Sequence, residues 1–347
     1  MPIRNAVRIG SGRQIGWPEG FMSSVEQFAE KTTSFIRSLS ENSTALRQIY
    51  FIDPARETIP MAPDSDVMLE KRMTVSKGLI CKYSRRALLL LSYTCAAHCR
   101  YCERQDRVGA GLDAEGRLTD TDIRNAVEYL RTRSDVSEVI FSGGDPLTNM
   151  PGLSVACREL AKLSHIRTLR IHTRFPMQHP EAVQLDVLST LVDSVPAFYF
   201  SLHIDHPDEL TERTESVIHR LRKMGYLLLS QTVFLRGIND EVSVLDALFS
   251  RLSELGVRPY YIYHCMPVPT TMRFVMPLKH EVEIMSELRK RLSGHSLPTH
   301  ILEMPGTTGK IAVPTNYWEF DPTSATDFFG NEFVLDEMGM IKGEANQ

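Results

Sequence analysis

The feature that most limits what this chain can become is ALLLLSYTCAAHCRYCER, from Ala87 to Arg104. An apolar run of strand character ends at Tyr93, and Cys95, Cys99 and Cys102 follow at CxxxCxxC spacing. A strand ending on three closely spaced thiols presents them on one short loop. Three such thiolates can hold three irons of a 4Fe–4S cluster, whereas a closed cluster takes four. The fourth iron would then be open to a small molecule. The spacing also admits a zinc site, with His98 inside the motif, or a disulfide pair in an oxidising compartment.

Composition removes several function classes. Of 347 residues, 42% are hydrophobic and 24% charged, which is ordinary globular usage. The net charge of −4 argues against a nucleic-acid or anionic-membrane partner. No apolar run approaches the ~20 residues of a membrane span, and MPIRNAVRIGSG lacks the apolar stretch of a signal peptide. Six cysteines, three of them clustered, read as reduced and intracellular, so a cytoplasmic location is expected and the Asn42-Ser43-Thr44 sequon is incidental.

Residues 1–20 are rich in Gly and Arg. Gly10, Gly12 and Gly16 nearly mimic a dinucleotide fingerprint, but the spacing is wrong and no strand precedes them. Apolar residues between Met22 and Tyr50 allow one or two helices, and Pro54, Pro60 and Pro63 then break regularity. From Ala87, β-rich runs at 87–92, 136–141, 167–173, 197–203, 227–235 and 258–264 alternate with helical stretches such as 120–132 and 241–255. That alternation predicts βα units around a parallel sheet. Six units suit a partial (β/α)6 TIM-like barrel with an N-terminal helical extension. The expected organisation is a helical cap and connecting segment over 1–84, the barrel over 85–295 and a C-terminal segment over 296–347.

Chemistry in such sheets gathers at the carboxyl ends of the strands. The second strand ends in Ser142-Gly143-Gly144-Asp145-Pro146, whose adjacent glycines let a ligand approach the backbone closely. Further on, Glu303-Met304-Pro305-Gly306-Thr307-Thr308-Gly309-Lys310 hints at a phosphate loop. Its glycine spacing is wrong for one, and Ile311 stands where Ser or Thr would hold magnesium. A lysine on such a loop can also carry pyridoxal phosphate, since a partly desolvated amine becomes nucleophilic. By spacing alone, a solvated surface lysine is the simpler reading.

CxxxCxxC followed one βα unit later by FSGGDPL resembles the radical SAM superfamily. That implies S-adenosylmethionine on the open iron, with Ser142, Gly143, Gly144 and Asp145 in its amino-group site. About two-thirds of the chain, from Lys82 to Tyr317, resembles the lysine 2,3-aminomutase family in motif order. The matching pieces are ALLLLSYTCAAHCRYCER, VIFSGGDPL, LSQTVFLRGIND, VRPYYIYHC and LPTHILEMPGTTGKIAVPTNY. The resemblance implies Cys95, Cys99 and Cys102 as cluster ligands and Lys310 as the lysine that carries pyridoxal 5′-phosphate. It further implies Arg104 as a clamp on the substrate carboxylate, and Arg86 and Tyr83 as cofactor contacts, with Arg86 near the phosphate. A small amino acid substrate and an external flavodoxin- or ferredoxin-type reductant follow, and a homo-oligomer is compatible.

Two departures from the family pattern matter. Lysine-acting members carry a zinc-binding cysteine cluster beyond the barrel, whereas here the last cysteine is Cys265. They also hold the distal ammonium of lysine with two aspartates, and the aligned positions are Met266 and Glu303. With one carboxylate gone, a basic or neutral substrate is expected, arginine tolerating the change better than lysine and acidic substrates being disfavoured. Two other outcomes are carried alongside. One is the same scaffold with epimerisation, elimination or peptide modification. The other is a non-catalytic iron–sulfur protein, for which Arg104, Lys310 and the GGDP turn would have no purpose.

Overall fold

The computed structural model describes residues 28–57, 69–105, 107–108, 116–268, 270–303, 309–314, 323–326 and 332–344. The glycine-bearing N-terminus, Pro60, Pro63 and most of the loop before Lys310 lie outside these residues. Two short helices come first, α1 (Ser34–Ser40) and α2 (Thr44–Tyr50), capped by the Thr33 and Ser43 hydroxyls. Ser43, the middle residue of the sequon, is thereby placed as a helix cap.

A hairpin of β1 (Thr74–Ser76) and β2 (Leu79–Ile80) leads into β3 (Arg86–Ser92). Then follow α3 (Asp120–Arg131), β4 (Glu138–Gly143), α4 (Met150–Leu160), β5 (Thr168–Thr173) and the short helices α5 (Phe175–Gln178) and α6 (Leu185–Ser189). The chain continues through β6 (Ala197–His203), α7 (Glu212–Met224), β7 (Leu227–Val233), α8 (Val242–Glu254), β8 (Arg258–Tyr263), α9 (Leu278–Arg291) and β9 (Thr299–Leu302). A two-residue β10 (Ile311–Ala312) precedes a small meander of β11 (Ser324–Thr326), β12 (Glu332–Leu335) and β13 (Ile341–Glu344).

Strands β1 to β10 form one sheet whose spatial order equals their sequence order. Each crossover therefore steps one strand in the same direction, which rolls the sheet into a barrel wall. Pairing is parallel from β3 through β9 and antiparallel at both edges. Among the described residues β1 and β10 do not pair, so the barrel is open.

All six expected strands are present, within two residues at each end. The parallel run is one strand longer than expected, because β9 pairs with β8. Four residues beside a glycine loop give too short a pattern to read as a strand. The β1–β2 hairpin within the supposed connecting segment was equally hidden by its length. The sheet thus continues across positions 84 and 296.

Local signals explain the helices. The Thr119–Asp122 capping box starts α3, whose Ile123, Ala126, Val127 and Leu130 are buried. Gly225, at φ 100°, ends α7 in the left-handed conformation. Between the helices and the convex face of the sheet lies a continuous apolar core that includes Leu89, Phe141, Ile171, Phe200 and Leu248. A smaller cluster, with Leu278, Val282, Leu302, Val313 and Leu335, fastens the C-terminal meander to α9 and β9.

Candidate active site

The cysteine loop leaves β3 and is locked at once against the turn after β4. Gly144 N–H donates to Ser92 C=O at 2.7 Å, and Asp145 N–H donates to Thr94 C=O at 2.8 Å. This approach explains the paired glycines. Gly143 has φ 130°, and a Cβ there would stand 1.9 Å from the Ser92 carbonyl oxygen; at Gly144 it would stand 2.5 Å from that of Thr94. What comes close to the glycine backbone here is the cysteine loop itself.

The expectation for Asp145 changes likewise. Its carboxylate is buried and accepts from the Thr173 hydroxyl at 2.8 and 2.9 Å, and from the N–H groups of Leu147, Arg174 and Phe175. Burial pushes its pKa up to about 6 against those donors. These bonds occupy the side chain in tying the β4 and β5 loops together.

Segment 28–57 grips the outer side of the cysteine loop. His98 N–H donates to Lys31 C=O and Arg100 N–H to Ile49 C=O, while the Arg100 guanidinium pairs with Glu57. Phe28 stacks on the His98 ring, with centroids 4.5 Å apart. His98, the zinc alternative, has its Nδ1 2.8 Å from Ala29 C=O. On the inner side, Tyr101 donates to Asp205, and Arg174 donates to Tyr101, Asp205, Glu209 and Tyr50. The Gln178 side chain bonds both backbone groups of Ala97 and reaches the Cys99 Sγ at 3.7 Å.

Cys95, Cys99 and Cys102 all line one cavity of about 270 Å³. None of them is disulfide-bonded. Burial raises all three thiols, Cys99 to about 11 and Cys102 to about 12, and neighbouring thiolates and carboxylates add to the effect. Ionised thiols here need a cationic group between them. Among the described residues no three His, Cys, Asp or Glu side chains are placed to hold a single metal ion. A 4Fe–4S cluster takes each thiolate on a different iron, a donor set that three soft thiols on one loop supply.

The same cavity is lined by the other expected residues as well. Lys310 Nζ lies 2.5 Å from the Tyr263 hydroxyl and 3.7 Å from Glu303 Oε2, and the faces of Tyr261 and Tyr263 lie 5.5 and 4.5 Å away. Glu303 is shared, since its Oε1 is also 3.7 Å from Lys82 Nζ. Arg86 stacks over the Tyr83 ring at 3.7 Å, a flat cationic and aromatic platform. Arg104 is held by Glu70 at 2.8 Å, and Glu70 also takes Arg107 at 2.9 Å. Met266 is buried on the cavity lining.

At the carboxyl ends of β5 and β6, burial and nearby cations hold His172 well below its usual range and His203 at about 4. Both imidazoles are therefore neutral at pH 7. Gln178 and Lys82 escaped the sequence reading, and Tyr263, His172 and His203, at the carboxyl ends of their strands, were given no specific role there. The period-2 pattern of PYYIY, which sends Tyr261 and Tyr263 to one face, was the available signal.

The model of the radical SAM superfamily matches residues 89–248. The L-lysine 2,3-aminomutase of Buchnera aphidicola is 34% identical over 252 residues, covering 72% of this chain and 73% of that protein. The chain belongs to the lysine 2,3-aminomutase family. The L-lysine 2,3-aminomutase of Clostridium subterminale is 32% identical, with 76% of this chain and 65% of that protein covered. An Aquifex aeolicus protein that carries the same name provisionally is also 32% identical, with coverages of 69% and 64%. The chain thus spans about two-thirds of the length of these curated relatives. Among solved structures, a radical SAM methyltransferase from Sphaerobacter thermophilus aligns at 14% identity with a TM-score of 0.45, covering 66% of this chain and 69% of that one.

Membership of this radical SAM family brings a 4Fe–4S cluster and S-adenosylmethionine as cofactors. The lysine 2,3-aminomutase family residues expected from sequence converge here. Cys95, Cys99, Cys102, Ser142, Gly143, Gly144, Asp145, Tyr83, Arg86, Arg104, Met266, Glu303 and Lys310 all border the one cavity. No helix among the described residues is long and apolar enough to cross a membrane.

Proposed function

We propose that this protein is a radical SAM, pyridoxal-phosphate-dependent amino acid 2,3-aminomutase, moving the α-amino group of an L-amino acid to its β-carbon. The observation that carries the reading is that the cysteine loop and Lys310 line one cavity. The named activity of the relatives supports it. When bound, the cluster with S-adenosylmethionine supplies a carbon radical able to remove a β-hydrogen, and pyridoxal phosphate supplies a carrier for the migrating nitrogen.

The chain's own residues would divide the remaining work. Lys310 presents its amine to the cofactor aldehyde, oriented by Tyr263. Tyr83 and Arg86 offer a stacking face and a charge for a phosphate, and Arg104 offers a guanidinium fork to the substrate carboxylate. Neutral His172 and His203 line the cavity as hydrogen-bond partners that add no charge. The barrel wall excludes water from the radical.

A basic or neutral substrate suits the residues around Lys310. Glu303 is the carboxylate there, and Lys82 offsets part of its charge. Met266 offers only a thioether. A low-potential donor of the flavodoxin or ferredoxin type would deliver the electron.

The test is anaerobic reconstitution followed by assay of a panel of common L-amino acids for the β-amino product and 5′-deoxyadenosine. A β-amino product from a basic or neutral member supports the reading. Release of 5′-deoxyadenosine with no β-amino acid from any member would overturn it, as would preferred turnover of aspartate or glutamate.

A further inference from the structure

We propose that Gln178 positions the cysteine loop and tunes the reduction potential of the cluster that the loop holds. The proposal rests on the cluster assignment to Cys95, Cys99 and Cys102. Gln178 closes the short helix α5, on the loop beyond β5, some eighty residues after the cysteines. It is 2% exposed, and among the described residues its side chain makes three hydrogen bonds, all with the cysteine loop. Its Oε1 accepts from Ala97 N–H at 3.3 Å, and its Nε2 donates to Ala97 C=O at 3.1 Å. The same Nε2 stands 3.7 Å from the Cys99 Sγ, within donor range for sulfur. Its backbone carbonyl accepts from the Thr33 hydroxyl at 2.6 Å, which ties this residue to the N-terminal segment as well.

The first two contacts imitate a strand pairing with the residue midway between Cys95 and Cys99. They fix the backbone that aims both thiols. The third is different in kind. Hydrogen bonds to ligating sulfurs are among the terms that set an iron–sulfur potential. A donor stabilises the more negative, reduced form over the oxidised one, by the same rule that lets hydrogen bonds favour a charged state. Gln178 should therefore raise the potential and ease one-electron reduction.

This donor acts in charged surroundings. Arg174, Asp205 and Glu209 form a buried group carrying two carboxylates against one guanidinium, and Tyr101, between Cys99 and Cys102, is bonded into it. Gln178 Nε2 thus offers a nitrogen donor to the Cys99 sulfur, beside the Tyr101 hydroxyl that also favours the Cys99 thiolate.

The experiment uses Gln178→Glu, which keeps an acceptor for Ala97 N–H but removes the donor, and Gln178→Met, an uncharged chain of similar length. Each is reconstituted anaerobically beside wild type. Iron per chain, thermal stability and the midpoint potential from an EPR-monitored titration are then measured. Gln178→Met should move the reduction equilibrium about tenfold toward the oxidised cluster, about 59 mV for one electron, and Gln178→Glu further in the same direction. Both should lose iron to a chelator faster than wild type. An unchanged potential in both variants at full iron content would overturn the proposal, and so would a shift to higher potential. Wild-type protein that fails to take up close to four irons would instead overturn the cluster assignment, so the two failures are told apart.

Discussion

The Lys310 ammonium donates to the Tyr263 hydroxyl at 2.5 Å, across 47 residues of sequence. Tyr263 is the last residue of β8, and its inward face is fixed by strand register rather than by the glycine loop that carries the lysine. Burial, with Glu303 nearby, pushes the phenol well above its usual range, so it remains a hydroxyl. The lysine at the end of the glycine-bearing motif is in this way referenced to a barrel strand.

Removing that reference should slow the enzyme without unfolding it. A hydrogen bond to a charged group is worth about 1.5–3 kcal/mol, so Tyr263→Phe should lower turnover roughly ten- to a hundredfold. Borohydride reduction of the pyridoxal-loaded protein, followed by peptide mapping, should still label Lys310. Label on Lys279 or Lys290 would show that the lysine has been misassigned.

Gly143 is the position where the fold tolerates least. An added Cβ meets a backbone oxygen rather than a flexible side chain, and φ 130° is itself unfavourable for an L residue. Gly143→Ala should cost about 2–4 kcal/mol in combined strain and overpacking. The unfolding midpoint in urea, with iron content of the reconstituted protein, checks both parts. A variant as stable as wild type would contradict the packing of the GGDP turn on Ser92.

A buried triad joins the barrel to its C-terminal wall. Glu281 on α9 lies 2.9 Å from His264 Nδ1 and 2.8 Å from His300 Nε2, all three fully buried. Burial alone would raise its carboxyl, but the two imidazoles outweigh that and hold it below its ordinary value. A depressed acid stabilises the fold fully above its unfolded pKa, near 4.3, and loses that contribution as pH falls through the lower folded value. Stability should therefore decline below about pH 4. Glu281→Gln should lower stability at pH 7 by about 1–3 kcal/mol, the cost of leaving a buried hydrogen-bonding group unpaired, and flatten the acid limb. Chemical denaturation from pH 3 to 7 measures this, and an unchanged acid limb would rule it out.

Metal content separates this chain from the zinc-bearing pattern of the lysine enzymes. With no cysteine after Cys265, purified protein should hold well under one zinc per chain by elemental analysis. One tightly bound zinc per chain would mean that the C-terminal part builds a site from other ligands.

The sequence by itself determined what depends on neighbours along the chain. The alternation of β-rich runs with helical stretches set the six long strands, the Thr119–Asp122 spacing set the start of α3, and CxxxCxxC set three thiols on one loop. Motif order, through resemblance, marked Lys310 and Arg104. Only the tertiary structure decided which partner each side chain meets. Asp145 turned to Thr173 and the β5 loop, Arg104 to Glu70, Glu303 to both Lys82 and Lys310, and Gln178 to Cys99. Those choices follow from strand order and register, which bring distant segments to the same rim. A buried polar group takes whatever donor or acceptor that geometry places within about 3 Å, and no local pattern in the chain encodes it.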